Sequence, residues 1–172
     1  AIYSILVKTK SKYTKIQQEE ISEKAAVASV KYAFLKVGTT SEIAFDMETS
    51  VSFDGDSGPY LQYTYARCKS VLRKSQYTLS NVSDVGDVSL NPEERAVLRL
   101  LTHFPDVVAE AADNLSPSTL CTYLYKLAAS YNLFYAKHTI LGSPLRHSIT
   151  AATARVLSNG LYLLGIETLE QM

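Results

Sequence analysis

Phe53-Asp54-Gly55-Asp56-Ser57-Gly58-Pro59-Tyr60-Leu61-Gln62-Tyr63-Thr64-Tyr65-Ala66-Arg67-Cys68 is a turn followed by the start of a helix. Its glycines, aspartates and proline specify turns. From Pro59 onward the apolar residues recur at helical spacing, which predicts a helix over about 59–77. At 100° per residue its core stripe is Leu61, Tyr65, Cys68 and Leu72. Tyr60, Tyr63, Arg67 and Lys74 then fall within about 60° of arc on a neighbouring face.

Working outward, Ile21, Ala25, Ala28, Tyr32 and Leu35 mark one stripe of a helix over about 17–36, ended by Gly38-Thr39-Thr40. Residues 1–13 are basic and strand-like or irregular, and 41–59 form a polar, acidic loop. Downstream, 78–90 are rich in Ser, Asn, Asp and Gly and read as a connection: a domain boundary, or a long loop within one bundle. Asn91-Pro92-Glu93-Glu94 opens a helix, with a good cap, a proline in the first turn and a glutamate at the capping-box position. Pro105 is expected to break that helix after Phe104, with a second short helix to about Ala112. Ser116-Pro117 opens another helix, striped by Leu120, Leu124, Leu127, Tyr131 and Phe134. Gly142-Ser143-Pro144 is a loop before a last helix over about 145–164, which Gly165 is placed to stop. Strand signals are scarce. The fold class is all-α, a helical bundle with short connections.

The chain has 172 residues, 47% hydrophobic and 20% charged, with a formal net charge of zero, so its overall charge does not announce a nucleic-acid binder. The two cysteines, Cys68 and Cys121, sit in apolar helical settings and read as buried reduced thiols rather than a disulfide or metal pair. No apolar run approaches the roughly 18–20 residues that span a bilayer. The opening Ala1-Ile2-Tyr3-Ser4-Ile5-Leu6-Val7 lacks the flanks of a secretory signal. It also lacks an initiator methionine and starts in mid-pattern, as expected of a piece of a longer protein. His103, His138 and His147 are scattered without metal-ligand spacing, and no Gly-x-Ser-x-Gly elbow or Gly-rich phosphate loop occurs. Asp54 and Asp56 belong to a solvated turn. No catalytic or metal residue is assigned.

Zero net charge conceals local asymmetry. Between Tyr60 and Ser80 there are four basic residues (Arg67, Lys69, Arg73, Lys74) and no acidic one. Between Asn114 and Ile166 there are again four (Lys126, Lys137, Arg146, Arg155) and no acidic one. A phosphate backbone responds to such local fields, although ordinary solvated helix faces look the same. With twelve tyrosines and no tryptophan, the chain offers faces for base stacking in Tyr60, Tyr63 and Tyr135, and each would serve as well at a bundle edge.

Phe45-Asp46 and Ser52 through Arg67 closely resemble the arginyl-tRNA synthetase run F-D … S-F-E/D-G-D/N-T-G-P-Y-L-Q-Y-A-H-A-R. Three further stretches agree in order: Leu98-Arg99-Leu100-Leu101 with Phe104-Pro105-Asp106-Val107-Val108; Tyr123-Leu124-Tyr125-Lys126-Leu127-Ala128 with Asn132-Leu133-Phe134-Tyr135; and Val156-Leu157-Ser158-Asn159-Gly160-Leu161 to Met172. The similarity spans roughly residues 20–172. Three departures stand out. Thr64-Tyr65 replaces Ala-His, Leu169-Glu170-Gln171-Met172 replaces Pro-Glu-Arg-Met, and no Trp-Asp-Arg run follows Phe45-Asp46.

The resemblance implies a DALR-type anticodon-binding domain over 59–172, preceded by a connecting segment (1–58) that leads from a catalytic fold. It implies tRNA(Arg) and that catalytic fold as partners, a cytoplasmic setting, and neither membrane nor DNA binding. The parent enzyme would attach arginine to tRNA using ATP with magnesium; this chain, lacking motifs of the His-Ile-Gly-His and Lys-Met-Ser-Lys-Ser types, would need no cofactor and would be inactive alone. By matching position, Tyr60, Tyr63, Arg67 and Arg73 fall on the helix facing the anticodon arm. Tyr135 and Met172 match residues at the anticodon loop, and Lys74 joins them on helical geometry. On an ideal helix Arg73 points away from Tyr60 and Arg67, a tension that requires a different contact. The rival reading is a helical protein-interaction module derived from this domain that no longer binds RNA; the anticodon domain of another synthetase is a third.

Overall fold

A computed structural model describes residues 13–43, 45–75 and 89–172. The described residues form six helices and no strand: α1 Lys15–Leu35, α2 Met47–Ser50, α3 Gly58–Lys74, α4 Pro92–Asp113, α5 Pro117–Lys137 and α6 Pro144–Leu163. The expectations for residues 1–12 and for most of the 78–90 connection lie outside the described residues.

Local chemistry sets the helix starts. The side chains of Thr14, Ser57, Asn91 and Ser143 each accept a backbone N–H of the first turn, with full capping boxes at Thr14–Gln17 and Asn91–Glu94. Ser116 opens α5 without such a bond; its hydroxyl lies 3.0 Å from that of Ser118. At the other end of α6, Gly165 adopts φ 66°, its N–H bonds the Tyr162 carbonyl (2.9 Å) and the Ile166 N–H bonds the Leu161 carbonyl (2.8 Å). That is the double bond pattern of a glycine stop. The expected loop over 41–59 contains one turn of helix, α2, capped by Asp46.

The break expected at Pro105 does not occur, and α4 is continuous through it. An interior proline costs about 3 kcal/mol. Val97, Leu98, Leu100 and Leu101 before it, and Val107, Val108 and Ala111 after it, all pack on the core, while Pro105 itself is exposed. Full burial stabilises by about 1.5–3 kcal/mol per large apolar side chain, so even the partial burial of most of these seven residues together outweighs one lost hydrogen bond.

The helix α3 packs between α1 and α6 and also meets α5, while α4 lies along α5 and α6. The main core joins Ala28 and Tyr32 of α1, Leu61, Tyr65, Cys68 and Val71 of α3, the predicted α5 stripe, and Ile149, Leu157 and Leu161 of α6. Val71, rather than Leu72, takes the fourth core position of α3; Leu72 is half-buried. A smaller cluster of Ile21, Ala25 and Leu169 is flanked by Tyr13, Val51, Phe53 and Met172. Both cysteines are buried thiols, each pushed up to about 12 by that burial. Gly58 lies against α1, where the Ala28 carbonyl leaves no space for a side chain.

Candidate nucleic-acid interface

The second half of α3, the end of α5, the 138–141 connection and the last two residues enclose a groove of about 730 Å³. Of the residues singled out from sequence, Tyr63, Arg67, Arg73, Lys74, Tyr135 and Met172 all line it. Tyr60 does not. Its hydroxyl accepts from Asn132 Nδ2 (2.9 Å) and its ring lies 5.9 Å from that of Tyr125, behind the groove wall.

The floor explains why Arg73 belongs to the groove despite the ideal-helix objection. Ala66 and Ser70 are small and line it between the arginines. The lining arc of α3 therefore runs from Val71 through Arg67 to Arg73, about 160° rather than 60°. At the tail, the Arg73 guanidinium donates to the Glu170 carbonyl (3.0 Å) and sits 3.8 Å from its carboxylate. Lys69 approaches the same carboxylate at 3.4 Å, and the Tyr65 hydroxyl donates to it at 2.8 Å. Burial and this carboxylate both raise the Tyr65 phenol above its ordinary value. Leu169 is buried beside Ile21, so this apolar contact and the four polar contacts to Glu170 together hold the tail. Met172 is half-buried and packs on that small cluster while lining the groove.

At the opposite wall the Arg67 guanidinium lies 4.6 Å from the Tyr63 ring centroid and 4.8 Å from that of Tyr135. It donates to Asn132 Oδ1 and to the Tyr63 hydroxyl, both at 2.6 Å. Such stacking holds an arginine in place at little cost in hydration, which a lysine could not match. Tyr135 remains 40% exposed, so part of its side chain is open to a ligand. Lys74 is exposed at the rim.

Lys137 and His138 also line the groove, but Glu93 holds both, at 2.5 and 3.2 Å. Lys137 first, then His138, lower the Glu93 carboxyl to about 2. Glu94 meets Arg146 at 2.8 Å. The paired glutamates that start α4 therefore also tie its N-terminus to the end of α5 and the start of α6.

Sequence reading missed two residues of this arrangement. Asn132, noted only within a matching stretch, is the centre of the α3–α5 polar contacts. Glu170 is the tail's anchor, and a carboxylate close to the end of a chain carries no local pattern. Two departures from the family run become structural here. Thr64 is bonded by Asn132 (3.0 Å), and Tyr65 holds Glu170. Among the described residues no group of histidine, cysteine, aspartate or glutamate side chains could hold a metal ion, and no helix is long and apolar enough to cross a membrane.

Comparison with known proteins bears directly on this geometry. The chain is 39% identical over 160 residues to the arginine–tRNA ligase of Streptococcus pneumoniae serotype 19F (strain G54), covering 90% of this chain and 28% of that protein. The arginyl-tRNA synthetase of Thermus thermophilus superposes with a TM-score of 0.86 at 31% identity, over 99% of this chain and 30% of that one. That of Plasmodium falciparum shares the fold, with a TM-score of 0.87 at 23% identity over 100% of this chain and 31% of that one. The chain therefore spans less than a third of the length of these relatives. Residues 61–172 match the DALR anticodon binding domain. The chain belongs to the DALR anticodon-binding family.

Proposed function

We propose that this chain is the tRNA-reading portion of an arginine–tRNA ligase and grips the anticodon arm of tRNA(Arg) in the groove between α3, the end of α5 and the tail. The carrying observation is that five residues matched by position (Tyr63, Arg67, Arg73, Tyr135 and Met172), with Lys74 chosen on helical geometry, line one groove on a member of the anticodon-binding family. Arg73 and Lys74 suit phosphates. Tyr63 and Tyr135, with Arg67 between them, suit splayed bases, and the Met172 thioether offers a soft apolar contact. Tyr60 supports this wall from behind.

In the whole ligase, arginine is joined to tRNA using ATP with magnesium in a catalytic portion; this chain supplies binding energy and orientation, placing the distant acceptor end for reaction in the cytoplasm. We assign 59–172 to the anticodon domain and 1–58 to the connection with the catalytic portion. In support, Val27, Val30 and Phe34 form an i, i+3, i+7 stripe on the outer face of α1, each 46–49% exposed, and Phe34 stacks on Phe45.

The test is a titration of the chain with tRNA(Arg) and with the same tRNA altered at the middle anticodon base, across a salt series. Tighter binding of the unaltered tRNA, weakening as salt rises, is the expected outcome. Equal, negligible binding of both would leave the interaction-module reading.

A further inference from the structure

We propose that Asn132 is the positioning residue of this interface, one amide that fixes Arg67 between the two tyrosine rings. The inference rests on the anticodon-arm reading above. Asn132 Oδ1 accepts from Arg67 Nη1 (2.6 Å), while Nδ2 donates to the Tyr60 hydroxyl (2.9 Å) and to Thr64 Oγ1 (3.0 Å). Every hydrogen-bonding group of the amide is engaged. Its orientation is not interchangeable, because a guanidinium only donates and must face the oxygen. The Thr64 hydroxyl donates to the Tyr60 carbonyl (2.9 Å), so it is left to accept from the amide.

The three partners stand at positions 60, 64 and 67 of α3, within about 60° of one another on the helix. One α5 side chain thus fixes the rotation of the α3 face. Asn132 also lies one turn before Tyr135, so it sets Arg67 and the Tyr135 ring against each other. The guanidinium has five N–H donors, and the Asn132 and Tyr63 bonds use two of them. A planar cation held between rings, with donors already aimed, binds without first losing side-chain freedom. Thr64, where the family often has alanine, gives the amide a third anchor and makes this positioning tighter in this chain.

The experiment is a double-mutant cycle on tRNA(Arg) binding. Asn132→Ala is expected to weaken binding about tenfold when Arg67 is present, the loss typical of one hydrogen bond to a charged group, and by less than about twofold when combined with Arg67→Met. Thr64→Ala, a gentler change to the same amide, is expected to cost about twofold, again only while Arg67 is present. Thermal melts of each variant separate loss of fold from loss of positioning. An undiminished loss in the Arg67→Met background would overturn the inference, because Asn132 would then act through the helix seam. Failure of the unaltered chain to bind tRNA(Arg) would instead remove the anticodon-arm reading, and this inference with it.

Discussion

Gly58→Ala sets two known effects against each other. Alanine is the better helix former, by at most about 1 kcal/mol, and less in a first turn. At this position, however, a Cβ would stand 2.4 Å from the Ala28 carbonyl oxygen, 2.7 Å from its carbon and 3.1 Å from the Tyr32 Cβ. Two of those atoms are α1 backbone, so relief requires the helices to separate, not a rotamer to turn. Separation would also strain the Tyr32 hydroxyl bond to Asp56 Oδ1 (2.6 Å) and the burial of Tyr32, which is 1% exposed. Overpacking of this kind costs about 1–3 kcal/mol. Taking the upper end and subtracting the propensity gain leaves a loss of about 2 kcal/mol. For a domain of this size that is a fall in Tm of about 4–8 °C. Gly160→Ala is the internal comparison: its Cβ would meet Leu124 Cδ2 at 2.5 Å, the far end of a flexible side chain, so a smaller loss of about 1 kcal/mol is expected. Urea and thermal unfolding of both variants would decide. A Gly58→Ala protein as stable as the parent, or one less affected than Gly160→Ala, would refute the claim that α1 and α3 meet through unyielding backbone.

Two further perturbations address electrostatics. The Glu93 carboxyl is lowered to about 2 from an ordinary value near 4.5, so its contribution to stability is present above about 4.5 and lost as pH falls toward 2. Glu93→Gln should therefore lower stability across the neutral region, where that contribution is fully present, and flatten the acid limb over that window; an unaltered acid limb would sink the argument. Glu170→Gln keeps an acceptor for Tyr65 but removes the charge facing Lys69 and Arg73. Because Glu170 is 58% exposed, its ion pairs contribute at most about 1 kcal/mol to folding. The expected change lies in binding instead: tighter association with tRNA at low salt and a steeper salt dependence, by up to about two phosphates. A slope equal to that of the parent would show that these cations do not face the RNA.

Sequence alone determined the elements whose causes are local. The cap at Asn91 and the stop at Gly165 each involve groups within a few residues, so their reading needed no partner element. The α5 stripe was equally legible, because a helix buried on one face repeats its apolar residues at its own period. The matched runs carried the family, and with it the residues worth locating. Tertiary structure decided the rest. Burial on both sides kept α4 whole through Pro105, an energy that no local rule contains. The width of the groove depended on small residues at Ala66 and Ser70 and on a tail folded back from a hundred residues away, which brought Arg73 in and left Tyr60 behind the wall. Asn132 became central only when α5 was laid against α3, since three hydrogen bonds from one amide require three groups that the sequence places about seventy residues distant.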